Sequence, residues 1–186
     1  LDGVIKKTPS ISAGWIEKRY GVDVTFKCEN LQRAGSFKIR GAYNRIARLS
    51  EAERSNGVVT ASAGNHAQGV ALAAQILGIK ATIFMPLGAT LPKYQATIGY
   101  GAEVIFHGKT IDEALIAASD FSNETGAVFI HPFDHEHIVA GQGTMGLEIL
   151  DQNPDVKTIV VCTGGGGLLA GTALAIKSLR PDIKII

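Results

Sequence analysis

From residue 57 onward, short runs of β-branched and other apolar residues alternate with longer stretches whose apolar positions recur every three or four places. The first pattern predicts strands and the second amphipathic helices. Strands are expected at 58–61, 81–85, 103–106, 127–130, 158–162 and 183–186, and helices at 65–77, 91–98, 111–122, 138–150 and 168–179. Ahead of them, Thr8-Pro9 leads into a helix at about 12–19, Gly21 into a strand at 23–28, and the spacing of Phe37, Ala42, Ile46 and Leu49 into a helix at 37–49, with a further turn at 50–54. Alternation of this kind specifies an α/β protein with doubly wound, mostly parallel sheets. Such folds bind ligands at the carboxyl ends of their strands, so the strand-to-helix loops carry the functional expectation.

Four strands and three helices fall within 57–130, enough for a small sheet of its own. We therefore expect a smaller domain, 57–134, inserted in a larger one formed by 1–56 and 135–186. A strand expected at 183–186 with no helix after it, and a first residue Leu1, make the expected unit larger than this chain and incomplete at its C-terminus.

Composition narrows the classes. With 186 residues, 46% of them hydrophobic, and a formal charge of +1, the chain suits a globular core and carries no electrostatic footprint for nucleic acid or an anionic membrane. No stretch reads as a signal peptide or a membrane-spanning helix. Cys28 and Cys162 each close an apolar run, which predicts reduced core thiols and a cytoplasmic protein. Twenty-two glycines without a low-complexity tract mark turns and close backbone approaches.

Three stretches carry candidate chemistry. In Gly35-Ser36-Phe37-Lys38-Ile39-Arg40-Gly41-Ala42, Ser36 is a candidate N-cap, and Lys38 opens a helix between two residues that favour burial. An amine near a positive helix terminus and away from water loses basicity, and a neutral amine attacks an aldehyde; the alternative is an ammonium snorkelling to solvent. In Cys162-Thr163-Gly164-Gly165-Gly166-Gly167-Leu168 a strand runs into a helix through four glycines, baring backbone amides for an anion such as a phosphate. No Gly-Lys-Ser/Thr follows, so it is not a nucleoside-triphosphate loop. In Ala61-Ser62-Ala63-Gly64-Asn65-His66 the same arrangement could hold a carboxylate, with Asn65 either a ring-oxygen partner or simply an N-cap. The cluster His131, His135, Glu136 and His137 matches no metal-ligand spacing, so no metal site is expected. Gly141 and Gly143, early in a helix, imply something packed close.

Taken together, these motifs resemble the fold-type II pyridoxal-phosphate enzymes. Within that group, Glu29-Asn30-Leu31-Gln32, then Gly35 to Ala42, then Thr60 to Ala71, with Pro132-Phe133-Asp134 and Ala140 to Thr144, resemble the threonine dehydratases (threonine ammonia-lyases) over nearly the whole chain. The resemblance implies a tryptophan synthase beta-like, two-domain fold, with residues 1–186 inside one catalytic unit. It implies pyridoxal 5'-phosphate carried covalently by Lys38, with Phe37 lining the ring pocket and Asn65 bonding the pyridine 3-oxygen. The phosphate would be held by Gly164, Gly165, Gly166, Gly167 and Leu168, and the substrate carboxylate loop would comprise Ser62, Ala63, Gly64, Asn65 and His66. The implied reaction converts threonine, and also serine, to a 2-oxo acid and ammonia, as in isoleucine biosynthesis or threonine catabolism, in a dimer or tetramer. Serine racemases, similar in these motifs, carry a serine where this chain has Ala63, which weighs against racemisation. The pyridine-nitrogen partner and any cation site would lie beyond the glycine loop. The rivals are a serine dehydratase or racemase, a non-catalytic fragment, and a nicotinamide dehydrogenase; the last lacks its glycine fingerprint at the first strand and leaves Lys38 unexplained.

Overall fold

The computed structural model describes residues 1–186. It opens with β1 (Ser10–Ser12), α1 (Gly14–Tyr20) and β2 (Thr25–Lys27), followed by two 3₁₀ turns, Glu29–Leu31 and Arg33–Gly35. Next come α2 (Lys38–Ile46), α3 (Glu51–Asn56), β3 (Val58–Ala61), α4 (Asn65–Leu77), β4 (Ala81–Met85), α5 (Leu91–Gly99), β5 (Glu103–Phe106), α6 (Ile111–Thr125) and β6 (Val128–Phe129). The remainder is α7 (Glu136–Gln152), β7 (Thr158–Ile159), α8 (Gly167–Leu179) and β8 (Lys184–Ile185).

The four central strands form one parallel sheet in the order β5-β4-β3-β6, with Val58 opposite Ala81 on one side and Val128 on the other. Both of its middle strands are buried throughout, yet the period of two still sorts their side chains. Val58, Ala81, Ile83 and Met85 pack with Ala67, Val70 and Ala74 of α4 and with Ile39, Ala42 and Ile46 of α2. Val59, Ala61 and Phe84 face Ala114 and Ala118 of α6 on the other side. A separate cluster, Met145, Ile149, Ile159, Val161, Ile176 and Ile183, joins α7 and α8 to the parallel pair β7-β8.

Three expectations are corrected. Residues 10–12 form a strand antiparallel to β2, with Ile11 opposite Phe26, so the first helix begins at Gly14 rather than near Ser12. Local spacing could not show this because the partner is distant in sequence. Regular pairing in β6 and β7 covers two residues each, since a strand is regular only where a neighbour lies alongside. Cys28 is half-buried and Cys162 exposed, so Cys162 is not a core thiol; Ile159 and Val161 point into the core, and Cys162, like Val160, falls on the other side of the alternation. No helix is long and apolar enough to cross a membrane.

The glycines anticipated in α7 meet other helices. A Cβ on Gly141 would lie 2.5 Å from the carbonyl of Arg40, and one on Gly143 would lie 2.9 Å from that of Gly171. Helices α2, α7 and α8 therefore touch backbone to backbone.

Candidate active site

The turn into α2 uses Ala34 and Gly35, both with positive φ (58° and 68°), a conformation that an alanine adopts only under strain. Ser36 is extended, and its Oγ accepts the Lys38 N–H at 3.4 Å, while Phe37 already has helical dihedrals of −59° and −16°. Ser36 thus supports the first turn, although the residue bounding the regular helix is Phe37 rather than Ser36, one place later than expected. The half-buried Lys38 side chain stays in the site instead of reaching bulk water. Its Nζ donates to the Pro132 carbonyl at 2.7 Å and lies 5.3 Å from the centroid of the Phe37 ring. Burial holds the amine's pKa below the ordinary 10.5, which raises the share of the nucleophilic neutral form.

Lys38 opens onto a cavity of about 330 Å³ lined by Phe37, Phe133 and the run from Cys162 to Leu169. Gly166, at φ 86°, turns the chain into α8. A Cβ on Gly165 would overlap the Phe133 ring, and one on Gly167 would lie 2.8 Å from the Phe133 carbonyl; Gly164 faces open space. None of the amide N–H groups from Gly164 to Leu169 donates to another protein group. Six uncommitted donors at the start of a thirteen-residue helix make an anion cradle.

Ser62, Ala63, Gly64 and Asn65 lie at the carboxyl end of β3, outside the lining of this cavity. The Ser62 N–H donates to the Phe84 carbonyl at 3.0 Å and the Gly64 N–H to Ser62 Oγ at 3.1 Å, whereas the amides of Ala63, Asn65, His66 and Ala67 have no acceptor in the protein. Asn65 is exposed and is the first helical residue, with Gly64 before it as the bounding residue. A Cβ on Gly64 would lie 3.5 Å from Lys93 Nζ, which brings a cation to this loop.

His66 faces inward instead of toward the loop surface. The residue is 4% exposed, and Nε2 lies 2.9 Å from the Ile130 carbonyl, which also accepts the Thr60 hydroxyl at 2.8 Å. Nε2 must then carry the proton. Burial lowers its pKa to about 3, only partly offset by the Ile130 hydrogen bond, and the nearby Lys38 adds to the lowering. Above pH 6.5, His66 is neutral whether folded or unfolded; between 6.5 and about 3, only the unfolded chain takes the proton. Stability therefore falls with acid in that window, by about 1.4 kcal/mol per pH unit for this residue. Urea midpoints measured from pH 7 to 4 should show a slope one proton shallower in His66→Gln; equal slopes would exclude His66 as the source.

A family profile described as "Pyridoxal-phosphate dependent enzyme" matches residues 1–186. The chain belongs to this family. It is 55% identical over 186 residues, all of the chain and 46% of the relative, to an L-threonine ammonia-lyase of Thermotoga maritima. It is 49% identical over 182 residues, 98% of the chain and 45% of the relative, to one from Geobacter sulfurreducens. Among solved structures, threonine deaminase isoform 2 from Solanum lycopersicum superposes with a TM-score of 0.95 at 44% identity, covering 98% of this chain and 50% of that one. Maize serine racemase superposes with a TM-score of 0.94, also at 44% identity, covering 97% and 55%. The chain spans about half the length of the curated relatives it matches.

The site fits the family's cofactor, since a half-buried primary amine and a row of free amides open on one cavity, as an aldehyde bearing a phosphate requires. Sequence reasoning did not assign Pro132 as the carbonyl acceptor of Lys38, Phe133 as the wall of the glycine loop, or Lys93. The signal for Phe133 was one large apolar residue in an otherwise polar loop. The surrounding histidines hold the loop's shape: His131 Nδ1 accepts the Asp134 N–H at 2.7 Å, and the ring stacks edge-on with Phe133 at 4.6 Å. No group of three or more His, Cys, Asp or Glu side chains is placed to hold a metal ion.

Proposed function

We propose that this chain is the lysine-bearing part of a pyridoxal-phosphate dependent ammonia-lyase that converts L-threonine, and also L-serine, to a 2-oxo acid and ammonia. The observation that carries the reading is the shared cavity of Lys38 and the glycine loop, in a chain 49–55% identical to named L-threonine ammonia-lyases. In this reading, 57–134 is a smaller domain inserted in a larger one formed by 1–56 and 135–186; the confinement of the four-stranded sheet to residues 58–129 supports it. The assembled protein is a cytoplasmic dimer or tetramer; two unpaired cysteines are compatible with that compartment.

When bound, the cofactor supplies an electron sink that makes the substrate Cα–H acidic. Lys38 would hold it through the amine and, as a free amine, would take the Cα proton of the substrate; burial keeps that amine less basic than a solvated one. Amides from Gly164 to Leu168 would hold the phosphate and Phe37 and Phe133 would wall the ring, while Asn65, at the carboxyl end of β3 outside this lining, would bond the 3-oxygen. Free amides of the loop from Ser62 to His66 bind the substrate carboxylate and so fix which Cα bond faces Lys38. Loss of the β-hydroxyl and then of ammonia, with water returned in hydrolysis, balances threonine against 2-oxobutanoate plus ammonia. Racemisation would need a second proton carrier on the opposite face, and Ala63 has no group to serve.

The test is an absorbance spectrum of the full-length protein with pyridoxal phosphate, before and after borohydride reduction, followed by peptide mapping and a 2-oxo acid assay with threonine and serine. A visible band, label on Lys38 and 2-oxobutanoate from threonine are expected. A full-length protein with no band, or with label elsewhere, would overturn the reading.

A further inference from the structure

Arg40 lies two residues after Lys38, roughly 200° around the helix, so the two side chains leave α2 on opposite faces. The Arg40 side chain is completely buried (0% exposed) among polar groups. Its Nε and Nη2 donate to the two carboxylate oxygens of Glu29, each at 2.8 Å, and its Nη1 and Nη2 donate to those of Glu148 at 2.7 and 2.9 Å. Nη1 also reaches Thr144 Oγ1 at 3.1 Å, which occupies the full fork of donors that only a guanidinium offers. The partners are tied in turn. Thr8 Oγ1 donates to Glu29 Oε1 at 2.6 Å, and Lys27 Nζ donates to Glu148 Oε2, to the Thr8 carbonyl and to Gln152 Oε1.

Two cations and two carboxylates cancel, and three distant segments meet on one guanidinium. Desolvation makes buried ion pairs a poor source of net stability, and apolar replacements of similar shape often serve as well. A guanidinium held by five hydrogen bonds instead fixes the rotation and axial position of the helix that carries it. The same helix has little slack elsewhere: a Cβ on Gly69 of α4 would lie 3.0 Å from the Lys38 carbonyl carbon, and one on Gly141 of α7 would lie 2.5 Å from the Arg40 carbonyl oxygen.

We propose that Arg40 is the positioning residue for Lys38, clamping α2 through Glu29 and Glu148 so that the lysine amine meets the cavity at one fixed place. The proposal rests on Lys38 being the cofactor lysine and is tested on the full-length holoenzyme. Arg40→Lys, Arg40→Met, Glu148→Gln and Thr144→Val are compared with wild type and with Glu103→Gln, which alters an exposed pair with Lys80. The readouts are the dissociation constant for pyridoxal phosphate from the visible band, the borohydride-fixed fraction at Lys38, and circular dichroism. Loss of charged hydrogen bonds should weaken cofactor binding about tenfold or more in the Arg40 and Glu148 variants, and loss of one neutral-acceptor contact about two- to tenfold in Thr144→Val. Glu103→Gln should match wild type. Arg40→Lys, which keeps the charge but not the fork, should not rescue. If Arg40→Met fails to fold, the milder Thr144→Val and Glu148→Gln decide. Folded variants with wild-type cofactor affinity and Lys38 labelling would make Arg40 merely structural. Absence of label on Lys38 in wild type would instead overturn the cofactor assignment itself.

Discussion

Lys38→Ala in the full-length protein should abolish the visible cofactor band and turnover together, with activity down by at least about 10³-fold. In the proposed mechanism the change removes a covalent anchor and a general base at once, and a positioned base alone contributes about 10²–10⁴-fold. Nothing in the fold should suffer comparably. Lys38 makes one side-chain hydrogen bond, to the Pro132 carbonyl, and its amine sits where burial disfavours its charge. The melting temperature of the cofactor-free protein should therefore stay near wild type while chemistry is lost. Lys38→Arg separates charge from nucleophilicity: a guanidinium stays protonated and should be as inactive as alanine. The measurements are the spectrum, borohydride labelling and 2-oxo acid release; near-normal turnover in the alanine variant would remove Lys38 from the mechanism.

The largest expected effect on stability belongs to a glycine outside the cavity lining. In Gly171→Ala the new methyl would overlap the Val139 carbonyl and lie 2.7 Å from the Gly143 amide nitrogen, so α8 must move off α7. Overpacking of a well-packed contact costs about 1–3 kcal/mol, and here both neighbours are backbone and cannot rotate away. We expect a cost near the top of that range and a fall in apparent melting temperature of roughly 6–12 °C. Gly146→Ala, whose methyl would meet the Ile176 Cγ1 and the Thr172 carbonyl at 3.2 Å, should cost less. Gly164→Ala, facing open space, should leave the melting temperature of the cofactor-free protein unchanged, so that any effect it has appears in cofactor binding. Thermal scans of the three cofactor-free proteins test the order; equal melting temperatures would mean that the α7–α8 contact has slack.

Much of the fold was legible because its signals are local. Both middle strands, Val58–Ala61 and Ala81–Met85, and helix Asn65–Leu77 match their expected bounds, each being a run of one hydrophobic period bordered by glycine or a polar turn. The candidate chemistry was local too: a lysine opening a helix and a strand entering four glycines need no tertiary information to be recognised. What the linear pattern left open depends on partners far away in the chain. Residues 10–12 are a strand only because 25–27 lie beside them. Cys162 is exposed because, while Ile159 and Val161 face α7 and α8, no segment covers the side on which Val160 and Cys162 lie. His66 turns inward to the Ile130 carbonyl, sixty-four residues on, which accepts its Nε2–H as well as the Thr60 hydroxyl. Composition and periodicity thus specified the elements and the reactive residue types, since backbone sterics and side-chain burial act over a few residues. The convergence of Lys38, Phe133 and the glycine loop on one cavity, and the pinning of α2 by Arg40, Gly69 and Gly141, were decided by long-range packing, where close contact and charge pairing act between segments unrelated in sequence.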